Sequence, residues 1–455
     1  MCSSDLQYIL SNNHVLAESD AATIGDPIVQ PGLIDAQCDT TQATTVATLT
    51  QFVNLESEDK TPSSANIDAA IAQVVSAQVD PTGNILYLGP VADSNGVPLP
   101  GAPNAGTGIV ALPGMGVAKS GRTTGLTCST VLAVNANTSV EYNKSCDGTG
   151  ASFTVDYNNQ VDVAGGGFGA EGDSGSLIVS QDTADPVALL YGGSDTDTVA
   201  NPVTPVLNFF ASGGNAVTFV GGSAHQVVGC MLPTAPQSAS KTVRPAALAN
   251  EVLQKAVAAR DAQASALLAH PPEVQAVGVG ASLDNPAEPA IVFFVTKGQT
   301  HTDIPGQVSG IRTRIVEGDL FARRGVISAA DTAINEQAAA APQLVYAVSA
   351  AEMQRANVVH AGHAKDLMRQ PGVQGVGITS SVDSPGEAAL MIFVIRGVTH
   401  PAIPAAIDGL RTRVRESSRF RAGYRGLQLH RACSSPAKRS AVLNFIQPAL
   451  TTPRP

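Results

Sequence analysis

The sequence predicts a multidomain protein, an all-β first half followed by a duplicated α+β module. Three observations carry that reading. Up to residue 223, short apolar or alternating runs are separated by Gly, Pro, Asn and Asp, the signature of a sandwich or barrel. Between 224 and 246 the composition changes through the Pro/Ser-rich stretch GCMLPTAPQSASK, which reads as a linker. Beyond it, one segment recurs at a constant offset of 99 residues. A chain of 455 residues exceeds what one hydrophobic core usually serves.

The first-half strands are expected at LQYIL (6–10), TVATLTQFV (45–53), AAIAQV (69–74), NILYLG (84–89), STVLAV (129–134), SFTVDY (152–157), SLIVS (176–180) and VALLYGG (187–193). PVTPVLNFF (202–210) reads as a short closing helix. After the linker, ALANEVLQKAVAARDAQASALLA (247–269) has helical spacing. VQAVGVGASLDNPAEPAIVFFVTKG (274–298) then matches VQGVGITSSVDSPGEAALMIFVIRG (373–397), and the register holds through HTDIPGQVSGIRTR (301–314) and HPAIPAAIDGLRTR (400–413). Each copy reads as a helix, a strand pair joined by an Asp-containing turn, and a final short strand. The expected divisions are 1–223, a linker at 224–246, and repeats at 247–342 and 343–455. A period this long, present twice, indicates a duplicated domain rather than a solenoid.

The net charge of −11 is unevenly distributed. Residues 1–224 hold 4 Lys+Arg against 22 Asp+Glu, a net of −18, and the remainder nets +7. Separately built modules are the expected cause. The basic charges are scattered among few aromatics, so nucleic acid is not an expected partner. No run reaches the eighteen apolar residues of a membrane-spanning helix. Of six cysteines, Cys128 and Cys146 flank a strand–loop–strand segment; they either pair across it or remain small buried thiols. MCSSDL has neither the basic nor the apolar region of a secretory signal.

GDSG (172–175) sets Ser174 between glycines and before an apolar strand. A tetrahedral oxyanion needs two converging backbone N–H donors, and glycine permits the tight approach; here these would be the amides of Gly172 and Ser174. A serine hydroxyl also needs a base. The first 223 residues contain one histidine, His14, in YILSNNHVLA. Imidazole in turn needs a carboxylate partner. Asp68 interrupts the apolar run NIDAAIAQV, where burial without a partner would be costly.

In these motifs the first half, about residues 6–223, resembles the chymotrypsin/trypsin-like serine endopeptidases, including bacterial members of the streptogrisin type. YILSNNHVLA is similar to the family's histidine motif, NIDAAIAQV to its aspartate motif and EGDSGSLIV to its serine motif. GVAKSGRTTGLTCSTVLAVNANTSVEY (116–142) resembles the entry to the second barrel, and VANPVTPVL (199–207) the closing segment. The resemblance implies a double β-barrel with His14 as general base and acid, Asp68 as orienting carboxylate, Ser174 as nucleophile, and Gly172 with Ser174 as oxyanion hole. It also implies a polypeptide substrate, paired along Tyr191, Gly192 and Gly193, and no cofactor.

Only 13 residues precede His14, fewer than the family's first barrel needs, so that barrel is expected to be incomplete and the chain N-terminally truncated. Were a signal peptide to lie upstream, an extracellular or periplasmic location would follow. Family members matured by cleavage bury a new amine against the acid before the serine; Asp173 is that acid, and no such amine is evident. Phe168, six residues before Ser174, argues against a preference for basic side chains. His360 and His363 have helical i, i+3 spacing but no third ligand for a metal, and His301 and His400 share a repeat position. The competing reading is a non-catalytic binding or scaffold protein built on a protease-like barrel.

Overall fold

A computed structural model describes residues 6–32, 35–36, 39–55, 66–143, 152–211, 216–231, 248, 250–268, 274–296, 304–317 and 344–422. The chain divides into two compact units: Met1–Pro233 with Ser417–Pro455, and Thr234–Glu416. The first unit is β-rich, as the turn-punctuated runs predict.

Its first sheet contains β1 (Tyr8–Ser11), β2 (Pro27–Gln30), β3 (Thr44–Phe52) and β4 (Ala70–Val74), in the order β1-β4-β3-β2, all antiparallel. The sequence gives no signal for β2, four residues opening on proline. Helix α1 (Asn13–Leu16) follows β1 directly. Its Val15 and Leu16 pack with Ile9, Ile28, Val46 and Leu49 in a buried cluster, so burial outweighs the poor intrinsic stability of a single turn.

The second sheet contains β5 (Gly116–Gly121), β6 (Gly125–Asn143), β7 (Ser152–Ala164), β8 (Leu177–Ser180), β9 (Pro186–Gly193) and β10 (Asp197–Pro202). These are ordered β6-β5-β8-β9-β10-β7, and β7 pairs back onto β6. Helix α2 (Val203–Phe210) follows β10, where a short helix was expected. Its Val206 and Phe210 join Val53, Ile67 and Ile71 of the first sheet's side and Leu189 of β9 in one buried cluster. Asp68 emerges from the middle of that cluster.

Two expectations need correction here. Residues 84–89 form no strand, because Tyr87 adopts a left-handed φ of 65° and the segment bridges only through Ile85 to Gly101. Cys128 pairs with Cys230, 102 residues away, rather than with Cys146. β6 brings Cys128 beside the 3₁₀ turn Val228–Cys230; Cys146 lies outside the described residues, as do Cys2, Cys38, Cys433 and most of the linker.

The second unit has one order of elements twice. α3 (Asn250–Leu268) leads into β11 (Val274–Ala281), β12 (Pro289–Val295), β13 (Gln307–Val308) and β14 (Ile311–Glu317). α4 (Ala350–Met368) leads into β15 (Val373–Ser380), β16 (Ala388–Ile395), β17 (Ala406–Ile407) and β18 (Leu410–Ser417). Each copy therefore ends in two strands rather than one, and β12–β14 is parallel. Ser349 caps α4 by accepting the Glu352 amide at 3.2 Å, the S-x-x-E pattern at a helix start. Of the described residues in this stretch, 344–416 group with the second unit and Ser417–Ala422 with the first.

The halves of this unit exchange contacts reciprocally. Ser282 donates to Asp383 at 2.5 Å and Ser381 to Asp284 at 2.6 Å. The amides of Leu283 and Val382 add to the same two carboxylates. Arg312 donates to the Thr412 carbonyl and Arg411 to the Thr313 carbonyl. Burial, and then the negative charge of Asp284, push the Asp383 carboxyl up to about 6. A carboxyl raised in the folded state contributes stability at low pH that is lost as pH rises through that value. Thermal melts of the chain should thus show this unit weakening between about pH 4 and 6, and Asp383→Asn should flatten the dependence. A profile identical in the variant would contradict the assignment.

Candidate active site

The site forms where the end of β1 meets the second sheet. Asn12 donates to the Asp68 carbonyl at 2.8 Å, and Asn13 donates to the Val53 carbonyl at 2.6 Å. These two buried asparagines fix the turn that carries His14. From the other side, Asn201 of β10 accepts the Asp68 amide and donates to its carbonyl, both at 3.0 Å.

The Asp68 carboxylate is fully buried and accepts from four donors. Oδ1 takes the amides of Asn13 at 2.7 Å and His14 at 3.3 Å. Oδ2 takes His14 Nδ1 at 2.5 Å and the Tyr142 hydroxyl at 3.0 Å. Because an ionised carboxylate only accepts, Nδ1 carries the proton, which leaves Nε2 of neutral imidazole as an acceptor. Nε2 is buried and has no hydrogen-bond partner among the described residues. The Tyr142 ring meets the imidazole edge-on at 5.7 Å, and its hydroxyl also bonds Tyr157 at 2.7 Å. Burial first, and then the Asp68 charge, push both phenols well up, so they remain neutral donors.

Ser174 lies on the loop between β7 and β8. Gly172 and Gly175 take φ of +95° and +86°, a backbone that side chains rarely adopt. A Cβ on Gly175 would fall 2.0 Å from Ser11 Oγ, so the loop is pressed against the strand end three residues before His14. Gly175 donates to Leu190 at 2.8 Å, and Leu190 donates to Ser176 at 3.0 Å. Neither the Gly172 nor the Ser174 amide donates a hydrogen bond among the described residues. The structure thus brings His14 onto Asp68 and the Ser174 loop against β1. It does not join Ser174 to His14 by a hydrogen bond, a contact often open without substrate.

The Asp173 carboxylate is held on the opposite side. Lys119 Nζ lies 3.0 Å from its Oδ2, with both side chains fully buried. Thr124 Oγ1 and the amides of Thr123 and Ala170 also donate to it. Burial raises the carboxyl, but Lys119, Thr124 and Thr123 together hold it below the usual range, whereas burial lowers the Lys119 ammonium. Lys119 was missed in the sequence, although a cation inside the strand motif GVAKSG, one of four in 224 residues, is a usable signal. Tyr142, Tyr157 and Asn201 carried none.

Other candidates change character. Phe168 is buried, and Lys119 Nζ lies over its ring, 5.9 Å from the centroid. Tyr191 is wholly buried and its hydroxyl reaches Thr138 at 3.2 Å. Gly192 and Gly193, both half-buried, end β9. In the second unit, His360 faces the Val376 carbonyl at 3.2 Å and His363 faces Asp408 at 2.6 Å. His400 faces the Pro401 carbonyl at 2.8 Å, and His301 lies outside the described residues. No group of three or more potential metal ligands occurs among the described residues, nor does a helix long and apolar enough to cross a membrane.

Neither a protein-family model nor a curated protein matches the chain. Among solved structures it is similar to a glutamic acid specific serine protease, with TM-score 0.30, 18% identity, and 46% of this chain and 87% of that one covered. A second is Thermobifida fusca protease A, at 0.28 and 16%, covering 45% and 83%. A third is Cellulomonas bogoriensis chymotrypsin, at 0.24 and 22%, covering 41% and 86%.

Proposed function

We propose that the first unit is a serine endopeptidase domain of chymotrypsin type that hydrolyses peptide bonds through an acyl-enzyme. The observation that carries the reading is the buried His14–Asp68 pair, with Nδ1 bound to carboxylate at 2.5 Å and Nε2 left without a partner. In this reading Ser174 Oγ attacks the scissile carbonyl carbon and its proton passes to Nε2. Asp68 holds the tautomer and stabilises the imidazolium. The oxyanion takes the unengaged amides of Gly172 and Ser174. Collapse expels the amine, which leaves with the proton from Nε2. Water, activated by the same imidazole, then cleaves the ester. The backbone of Tyr191, Gly192 and Gly193 pairs with the substrate. No cofactor enters any step.

In this reading the peptidase domain is built on residues 1–223, to which Ser417–Ala422 add, and the repeats that begin at 247 and 343 form an accompanying duplicated module. The Cys128–Cys230 bridge fits an oxidising compartment. A binding or scaffold role is the second reading, favoured by the absence of a His14–Ser174 hydrogen bond. A fluorophosphonate separates the two. Peptidase chemistry requires covalent labelling at Ser174 that disappears in His14→Ala; a folded protein that stays unlabelled overturns the peptidase reading.

A further inference from the structure

β9 has two edges, and both are occupied. β10 takes one, pairing Thr198 with Gly193. Along the other lie β8, then Gly175 and Ser176 at Leu190, and finally Arg421 at Gly193. Gly193 and Arg421 exchange both backbone bonds at 2.9 Å in antiparallel sense. Glu141 of β6 closes the slot from the opposite side, its amide donating to Phe420 and its carbonyl accepting from Ala422, each at 3.0 Å. A segment of this chain thus fills a two-sided strand slot in the first unit. The Asp195 amide donates to Ser418 Oγ at 3.0 Å, and the Ser418 amide to Asp195 at 2.7 Å, anchoring its start.

Direction gives the slot its meaning. A strand antiparallel to β9 runs from Gly193 back toward Leu190, the residue bonded on both sides of the Ser174 loop's exit. Those positions are three residues, roughly 10 Å, apart along a strand. Any peptide in this register therefore advances its C-terminal side toward Ser174. Alternation sorts the side chains: Phe420 and Ala422 are buried on one face, whereas Arg419 and Arg421 lie 3.7 and 3.6 Å from the Glu141 carboxylate on the other.

We infer that residues 418–422 are an intramolecular ligand of this cleft and that Glu141 makes the slot selective for extended peptides with arginine opposite Gly193. The inference rests on the peptidase reading for its consequence, which is competition between the chain and its substrate. Strand addition supplies sequence-independent affinity, and alternate side chains supply preference. A tethered ligand competes at an effective concentration in the millimolar range, so it suppresses weak peptides strongly.

The test reads binding in full-length Ser174→Ala protein, so that it does not depend on catalysis. The probe is a fluorescein-tagged peptide with the sequence of residues 418–422. Arg421→Pro removes the N–H given to Gly193 and should tighten probe binding at least tenfold. Adding Glu141→Lys should weaken it about fivefold or more, with recovery by a probe carrying glutamate for both arginines. If Arg421→Pro does not fold by circular dichroism, Arg421→Glu replaces it. Equal binding with and without the native segment, no binding once the slot is vacated, or indifference to Glu141→Lys would each overturn the inference. Failure of fluorophosphonate labelling in the otherwise unaltered chain strikes the peptidase reading alone and leaves these binding results standing.

Discussion

Ser174→Ala should lower turnover of a peptide substrate by about 10⁴–10⁶-fold while leaving the fold intact. The side chain is only partly buried and makes no hydrogen bond among the described residues, so losing its oxygen removes no structural contact there. Alanine deletes the atom proposed to attack and leaves the Gly172 and Ser174 amides and the His14–Asp68 pair in place. A residual rate above that in water is therefore expected. The measurement is kcat on a peptide substrate, with protein concentration fixed by absorbance and the thermal midpoint taken as the control. A loss below tenfold at unchanged midpoint would remove Ser174 from the nucleophile's role.

Lys119→Met should destabilise the first unit by about 3–5 kcal/mol, the usual cost of leaving one member of a buried ion pair without its partner. Both side chains are fully excluded from solvent, so water cannot compensate Asp173. The loss should extend to kcat, because Asp173 lies between the Gly172 and Ser174 amides and its displacement moves both. Lys119→Met with Asp173→Asn should recover part of the stability, since no isolated charge remains. Urea unfolding followed by fluorescence or circular dichroism measures each step. Stability within 1 kcal/mol of the parent for Lys119→Met would show that the pair is not required. Acid has a related effect. The Asp173 carboxyl is held below its ordinary value, so its contribution is complete above about pH 4 and is lost as pH falls through the lowered value.

The parts of this molecule legible in the sequence are those encoded locally. Strands β3, β4, β8 and β9 follow from alternating or continuous apolar runs, and α2 from VTPVLNFF, because burial of each run is decided within a few residues. His14, Asp68 and Ser174 stand out in the sequence because chemistry restricts residue type and the surrounding glycines or asparagines mark the turns; of the three, the structure joins His14 to Asp68. What the sequence does not disclose is pairing at a distance. Tyr142 reaches Asp68 across 74 positions, Asn201 across 133, and Cys128 reaches Cys230 across 102. No periodicity encodes such partners. The segment NILYLG shows the converse: its composition suits a strand, but a left-handed Tyr87 and a lack of neighbouring strands leave it irregular.

The exchange of Ser282 with Asp383 and of Ser381 with Asp284 has a bearing on how the second unit comes apart. Each half buries an aspartate whose solvation is supplied by the other half. Opening of either half would break the bonds of Ser282 and Leu283 to Asp383 and of Ser381 and Val382 to Asp284 together. Intermediates with one half ordered are thereby suppressed, and hydrogen exchange at the turns of residues 282–285 and 381–384 should report a single opening event. Two similar halves joined in this way are expected to open as one foldon, not as two.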